Sequence, residues 1–288
     1  MDNILQLSIG HQFSGILLAL TVIMLWTGRC FDIKKQRVPL WLPFYVIALV
    51  ISYINGQINL SGLLWIGILA LTCLAYVRKI YPLLSYSLLV LIPLLMALHI
   101  LPGFNNLPIL KQVQVSVDAV NYSMYLNLDK ISAGIMLFWF LFNNEQRQVF
   151  KISIIKKALP VFAVSCMLVF SLASLSLIKI DIKILSIFPV FLLSTFLFTS
   201  MAEEVYFRGV IQNKLMGFNV AVAIVVSAML FALAHSGTGR LDYVLVAMIA
   251  GTGYALIYHR THSVGASIIS HGLLNSIHFL FFTYPFLR

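Results

Sequence analysis

The chain has 288 residues, of which 61% are hydrophobic and only 10% are charged, and its formal net charge is +10. Soluble domains average about 25% charged residues, so this composition excludes a soluble globular protein. The basic residues lie between apolar runs and form no patch interleaved with aromatic residues. That arrangement follows the positive-inside rule of membrane proteins and argues against a nucleic-acid partner.

Apolar segments long enough to cross a bilayer, about 17–25 residues each, follow one another along nearly the whole chain. They predict an all-α fold, a polytopic transmembrane helical bundle with about 8–10 spans, whose surroundings are the lipid bilayer. In chain order the candidate segments are 10–27, 38–54, 60–77, 80–101, 128–142, 158–178, 184–215, 218–235, 243–258 and 263–283.

The longest polar connection, 102–130, divides the predicted organisation into two parts. It contains Pro102-Gly103-Phe104-Asn105-Asn106, a strong turn signal. An ordinary external loop is favoured here over a lid or a re-entrant loop. We therefore predict N-terminal transmembrane helices over 1–127 and a core that carries the functional motifs over 128–288, with the motifs themselves inside 184–280.

Adjacent glutamates, Glu203 and Glu204, lie inside one predicted membrane helix, and Arg208 follows on the same segment. A charge at the bilayer centre costs about 2.5–3.5 kcal/mol even on the permissive insertion scale, and such residues normally have a partner. Glu204 and Arg208 are four residues apart, so they share a helix face and can pair. Glu203 points about 100° away and is left to face another group.

Two further apolar helices carry polar residues at the matching depth. One ends Phe231-Ala-Leu-Ala-His235, and the other reads His271-Gly-Leu-Leu-Asn275. If the chain turns near residues 217–219, Glu203 and His235 lie about 21 Å and 24 Å from that turn at the helical rise. His271 and Asn275 are four residues apart on one face, so all four groups can meet within one slab of the membrane.

Such a set of side chains is sufficient for amide hydrolysis without a nucleophilic serine or cysteine. A carboxylate beside an imidazole in a low-dielectric cavity can hold and deprotonate a water molecule. A second imidazole and an amide can donate hydrogen bonds to a developing oxyanion.

The sequences Glu203-Glu204-Val-Tyr-Phe-Arg208, Phe231-Ala-Leu-Ala-His235 and His271-Gly-Leu-Leu-Asn275 resemble the EExxxR, FxxxH and HxxxN motifs of the CAAX-processing and bacteriocin-processing (CPBP, or Abi) intramembrane proteases. The resemblance implies that Glu203 is the general base, with His235 as its partner. It implies that His271 and Asn275 stabilise the oxyanion, that Glu204, Arg208 and Phe231 support the site, and that the mechanism is glutamate-dependent and needs no metal or other cofactor.

Two other interpretations stay open at this point. Glu203, His235 and His271 are a possible ligand set for zinc with an open fourth position. Alternatively the protein is not an enzyme and acts as a transporter or as a scaffold, such as a bacteriocin-immunity protein.

The partner expected for a protease is a peptide or protein substrate, with lipidated and membrane-inserted peptides among the candidates. The compact, multi-pass chain favours an integral protein of the bacterial cytoplasmic (inner) membrane.

Overall fold

The computed structural model describes residues 7–33 and 36–288, and these are predominantly helical, which confirms the predicted all-α fold. Lys34 and Lys35, two of the basic residues that lie between apolar runs, are outside the described residues. Two compact units can be distinguished among the described residues: one comprises 7–33, 36–111, 123–144 and 197–202, and the other comprises 112–122, 145–196 and 203–288. The division of the chain at 127/128 stays a prediction.

The helices are, in chain order, α1 (Ile9–Thr27), α2 (Trp41–Ile54), α3 (Leu60–Val77), α4 (Pro82–Ala97), α5 (Leu128–Leu141), α6 (Asn144–Arg147), α7 (Ile152–Ala173), α8 (Phe188–Met216), α9 (Val220–Leu233), α10 (Leu241–Thr261) and α11 (Val264–Phe281). Two pairs of short strands accompany them: β1 (Cys30–Ile33) with β2 (Gln36–Pro39), and β3 (Leu107–Val113) with β4 (Tyr122–Leu126).

Seven helices of the described chain are long and apolar enough to cross a membrane: α1, α3, α7, α8, α10, α11 and the segment Val220–Thr238 that contains α9. The protein is therefore an integral, multi-pass membrane protein. The predicted segment 158–178 had the wrong bounds, because α7 begins at Ile152 and ends at Ala173. Beyond its end, the chain leaves the helix and pairs with the C-terminal segment.

Three shorter helices of the first unit, α2, α4 and α5, extend between the same two levels as the longer helices α1 and α3. One level is marked by the start of α1 and the other by its end. The antiparallel pair β1–β2 reverses the chain after α1, with Cys30 opposite Pro39. At the far end of α2, Gln57 accepts a buried hydrogen bond of 2.9 Å from Ser14 near the start of α1. The helix α2 thus returns across the depth that α1 covers, although it has only 14 residues.

The same reasoning applies to α4 and α5. After α4, Gly103 accepts a backbone hydrogen bond of 3.0 Å from Asn59, the N-cap of α3. Asp129 in the first turn of α5 bonds His99 at 2.7 Å, and Asn144 beyond its other end lies against Gly28 at the end of α1. Each of these helices therefore also connects the two levels.

The connection 102–130 contains the strands β3 and β4 rather than an irregular loop. Its turn signal is confirmed at Gly103, whose φ of +101° favours glycine. A Cβ at this position would lie 2.2 Å from the backbone nitrogen of Gly62, so the missing side chain also permits this close approach.

In the second unit, the C-terminal end of the chain is tied to the segment that leads into α8. Backbone hydrogen bonds run from Asp181 to Phe281, from Thr283 to Lys179 and from Leu287 to Leu177, at 2.8–2.9 Å. The start of α11 is fixed by Ser263, whose hydroxyl accepts from the backbone of Ala266. Both ends of α11, the helix that carries His271 and Asn275, are thus held in place.

Candidate active site

The glutamates lie on one ordinary α-helical turn between two stretches of wider π-helical winding. Within α8, residues Thr195–Ser200 and Val205–Gln212 are π-helical, and Met201–Glu204 between them is α-helical. Such π segments are rare and occur frequently at functional sites. The sequence pattern predicted a regular helix here and gave no signal for this winding.

Glu204 and Arg208 form a fully buried ion pair. Arg208 donates from Nε to Glu204 Oε2 at 2.8 Å, and both side chains have 0% exposure. Nη1 of Arg208 donates to the hydroxyl of Ser227 at 2.6 Å, and that hydroxyl donates to the carbonyl of Phe207 at 3.1 Å. The buried charges are therefore paired and hydrogen-bonded, as burial requires. Ser227 was not recognised in the sequence, although it lies one turn before Phe231 on the same helix face.

His271 bridges the two glutamates. Its Nδ1 lies 2.9 Å from Glu204 Oε1, and its Nε2 lies 4.0 Å from Glu203 Oε2. Because a carboxylate paired with arginine can only accept, the Nδ1 nitrogen is the donor and carries a proton. The Nε2 nitrogen is consequently the one that faces Glu203. The two adjacent glutamates therefore contact different nitrogens of one imidazole: Glu204 accepts from Nδ1, and Glu203 faces Nε2.

Aromatic rings fix the plane of His271. The ring of Tyr254 on α10 stacks on it with centroids 4.7 Å apart and an interplanar angle of 13°, and Phe231 meets its edge at 5.6 Å. At Gly251 a Cβ would lie 2.9 Å from the Phe231 ring, so this glycine lets α10 approach closely. Tyr254 was not recognised in the sequence, where a tyrosine in an apolar helix indicates packing only.

His235 lies in the turn that follows α9, not at the end of a helix as the sequence predicted, because α9 ends at Leu233. Its Nδ1 donates to the carbonyl of Phe231 at 2.8 Å. A neutral imidazole with a proton on Nδ1 has a lone pair on Nε2, which can accept from a water or a substrate. The Phe231 ring lies 4.7 Å from the His235 ring, and Tyr243 lies on another side at 6.1 Å.

Phe231 is central to the cluster. Its ring contacts both His235 and His271, and the guanidinium of Arg208 lies 5.5 Å from its centroid. This distance is within the range of a cation–π interaction. The structure therefore brings the predicted FxxxH and EExxxR residues together through this ring.

Asn275 lies one turn after His271 on α11 and is half-buried. Its side-chain amide has no hydrogen-bond partner among the described residues, which leaves its donors available to a ligand. Glu203 is 15% exposed, whereas Glu204 is fully enclosed. Glu203, His235 and Asn275 are thus partly accessible, whereas His271 and the supporting pair Glu204 and Arg208 are buried.

The described His, Cys, Asp and Glu side chains form no group of three that could hold a metal ion. Zinc binding by Glu203, His235 and His271 stays a prediction.

The comparisons with known proteins concern the last third of the chain. Residues 185–277 match the family described as Type II CAAX prenyl endopeptidase Rce1-like, which covers about a third of the sequence. This region contains all three motifs and Tyr254. No curated protein and no solved structure matches the chain. The match confirms the resemblance carried by the motifs: residues 185–277 are similar to the family described as Type II CAAX prenyl endopeptidase Rce1-like.

Proposed function

We propose that the protein is an intramembrane endopeptidase that hydrolyses a peptide bond with a water molecule activated by Glu203, without a covalent intermediate. The observation that carries the proposal is the 4.0 Å separation between Glu203 Oε2 and His271 Nε2, on an imidazole already held by Glu204. That separation is too long for a direct hydrogen bond, and we propose that the attacking water enters between these two groups.

In the proposed reaction Glu203 takes a proton from this water as the oxygen attacks the carbonyl carbon of the substrate. A C–O bond forms and the carbonyl oxygen becomes an oxyanion. The amide of Asn275 and the Nε2–H of His271, when that nitrogen is protonated, are the donors for this charge. Glu204 supports the cationic imidazole at Nδ1, and Arg208 offsets the charge of Glu204.

Collapse of the tetrahedral intermediate breaks the C–N bond and requires a proton on the leaving amine. Glu203 holds the proton taken from water, and His235 is the second group proposed to relay it through Nε2. The products are a carboxylate and an amine, so atoms and charges balance. The fixed tautomer of His235, set by the Phe231 carbonyl, supports this role.

The substrate we propose is a peptide or protein at the membrane. The prenyl peptides in the description of the matched family make a lipidated C-terminal peptide the first substrate to assay. We further propose that the protein acts in a bacterial cytoplasmic membrane.

The test compares two glutamate variants, because the chain has only three glutamates and Glu145 lies outside the site. Glu203→Gln should abolish cleavage of a prenylated peptide by the purified protein, whereas Glu145→Gln should cleave like wild type. In cells, proteome-wide comparison of new N- and C-termini between these two strains should identify the substrates.

Two outcomes would contradict the proposal. Undiminished cleavage by Glu203→Gln would exclude the glutamate mechanism. Stoichiometric zinc in purified protein, lost together with activity on chelation, would establish the zinc enzyme instead. If a cellular phenotype survived Glu203→Gln combined with His235→Ala, a non-catalytic scaffold would be the better explanation.

A further inference from the structure

A groove of about 610 Å³ lies between α7 and α10, on the side of α10 away from the candidate site. Its walls are almost entirely apolar, with Val164 and Leu168 on α7 and Leu245 and Leu256 on α10. Both helices are candidate membrane spans. The groove therefore faces the hydrocarbon of the bilayer and not an aqueous phase.

The few hydroxyl groups in the groove are already used within their own helices. Ser165 donates to the carbonyl of Val161 at 2.8 Å, and Thr252 donates to the carbonyl of Met248 at 2.8 Å. A peptide strand in this groove would find no partners here for its backbone groups, and unsatisfied backbone groups are costly in a membrane. A hydrocarbon chain carries no such requirement and fits the lining.

One end of the groove is basic. Arg260 lines it where α10 ends, and Val161 and Leu256 place the beginning of α7 at the same edge. Lys157 lies one turn before Val161 on the same face of α7, and its neighbour Lys156 is also exposed. None of these three cations forms a salt bridge within the described part of the chain. Basic pockets between transmembrane helices at a membrane edge bind anionic headgroups.

We propose that this groove binds an anionic phospholipid, with an acyl chain between α7 and α10 and the phosphate at Arg260 and Lys157. The proposal rests on the groove and its charges and does not depend on the proposed protease function. The occupant is a membrane lipid and not a free anion, because the groove provides an apolar wall continuous with its basic end.

The test measures lipid binding to the purified full-length protein by native mass spectrometry, with phosphatidylglycerol and phosphatidylcholine as probes. The wild-type protein should bind phosphatidylglycerol more tightly than phosphatidylcholine. Arg260→Gln should weaken that binding about fivefold, the equivalent of about 1 kcal/mol for one basic residue near an anionic headgroup. Arg78→Gln, which removes an exposed charge from the end of another helix, is the matched control and should bind like wild type.

A second pair of variants tests the chain-binding part of the groove. Val164→Trp fills the groove and should abolish retention of phosphatidylglycerol. Met167→Trp adds the same ring at another exposed position of α7, outside the groove lining, and should leave binding unchanged.

Unchanged binding in either Arg260→Gln or Val164→Trp would overturn the proposal. So would equal affinity for the two lipids, or displacement of phosphatidylglycerol by inorganic phosphate, since phosphate supplies the charge without the chain. Arg260 is exposed, so its substitution leaves the helix packing intact and the test interpretable.

Discussion

Two glutamates that are neighbours in sequence are in very different surroundings. Glu204 is enclosed with Arg208 and His271, whereas Glu203 keeps 15% of its side chain exposed and faces the other nitrogen of the imidazole. Removing one member of a buried ion pair leaves an uncompensated charge, while altering a partly exposed carboxylate does not. The two positions should therefore respond differently to the same substitution.

We predict that Glu204→Gln lowers the free energy of unfolding by about 3–5 kcal/mol, because Arg208 is then buried without a countercharge. Glu203→Gln should lower it by less, since glutamine keeps the size and polarity of the side chain and this side chain is 15% exposed. Unfolding in mixed micelles with increasing denaturing detergent measures both. Equal stability of the two variants would show that the Glu204–Arg208 pair is not a structural requirement.

At the scale of elements, α10 is packed against helices on two faces. Tyr254 stacks on His271, and the adjacent Gly253 lies against Ser165 of α7. A Cβ at Gly253 would be 2.1 Å from the Ser165 hydroxyl and 2.8 Å from its Cβ, so the helices would have to separate. The spacing of α7 and α10 is thus set by the absence of a side chain at this position.

Gly253→Ala should consequently cost about 1–3 kcal/mol of stability through overpacking, and it should slow cleavage because Tyr254 moves with its neighbour. Gly67→Ala on α3 is the control: a Cβ there meets nothing within 4 Å. That control should be neutral or slightly stabilising, as alanine favours helix. Thermal unfolding followed by circular dichroism, with a cleavage assay on the same samples, checks both effects.

The connection between α7 and α8 gives a prediction for acid pH. Burial works to raise the pKa of Asp181, but hydrogen bonds from Ser116 and Lys183 outweigh it, so this pKa lies below its ordinary value. A lowered pKa in the folded state adds stability above the unfolded value of about 4. That contribution is lost as the pH falls through the lowered value.

The Asp181→Asn variant should therefore lose less stability than wild type as the pH falls below about 4. Near neutral pH, the dependence of its stability on pH should be little changed. Asp118→Asn is a suitable control, because the Asp118 carboxylate is 67% exposed and its ion pair with Lys179 is long, at 3.9 Å. Melting temperatures of wild type and both variants, measured across this pH range, test the prediction. An acid slope in Asp181→Asn as steep as that of wild type would argue against the role of Asp181.

For the whole molecule, the shorter helices decide the membrane topology. The contacts at the two ends of α2, the β1–β2 pair at one end and the Ser14–Gln57 hydrogen bond at the other, predict that α2 crosses the membrane even though it has only 14 residues. Single cysteines at Ser8 and Ser61 should then react with an impermeant thiol reagent from the same side, and one at Arg78 from the opposite side. The three native cysteines are replaced first. Labelling of Ser8 and Ser61 from opposite sides would show that α2 does not cross.

Much of this organisation could be predicted from the sequence, because apolar length and four-residue spacing directly determine spans and helix faces. The pairing of Glu204 with Arg208 follows from that spacing and is found in the structure. The division of labour at His271 could not be predicted, since it depends on which glutamate reaches which nitrogen. Ser227 and Tyr254 were missed because a lone hydroxyl or ring in an apolar helix does not reveal its neighbour.

The wide winding of α8 on both sides of Met201–Glu204 has a consequence for how this site changes under mutation. A residue gained or lost in either stretch alters the angle at which the carboxylates leave the helix axis, yet it removes no reactive side chain. The rotation of α8 about its axis thus affects the site independently of which side chains are present. A deletion several residues away can redirect Glu203 as effectively as a substitution can remove it.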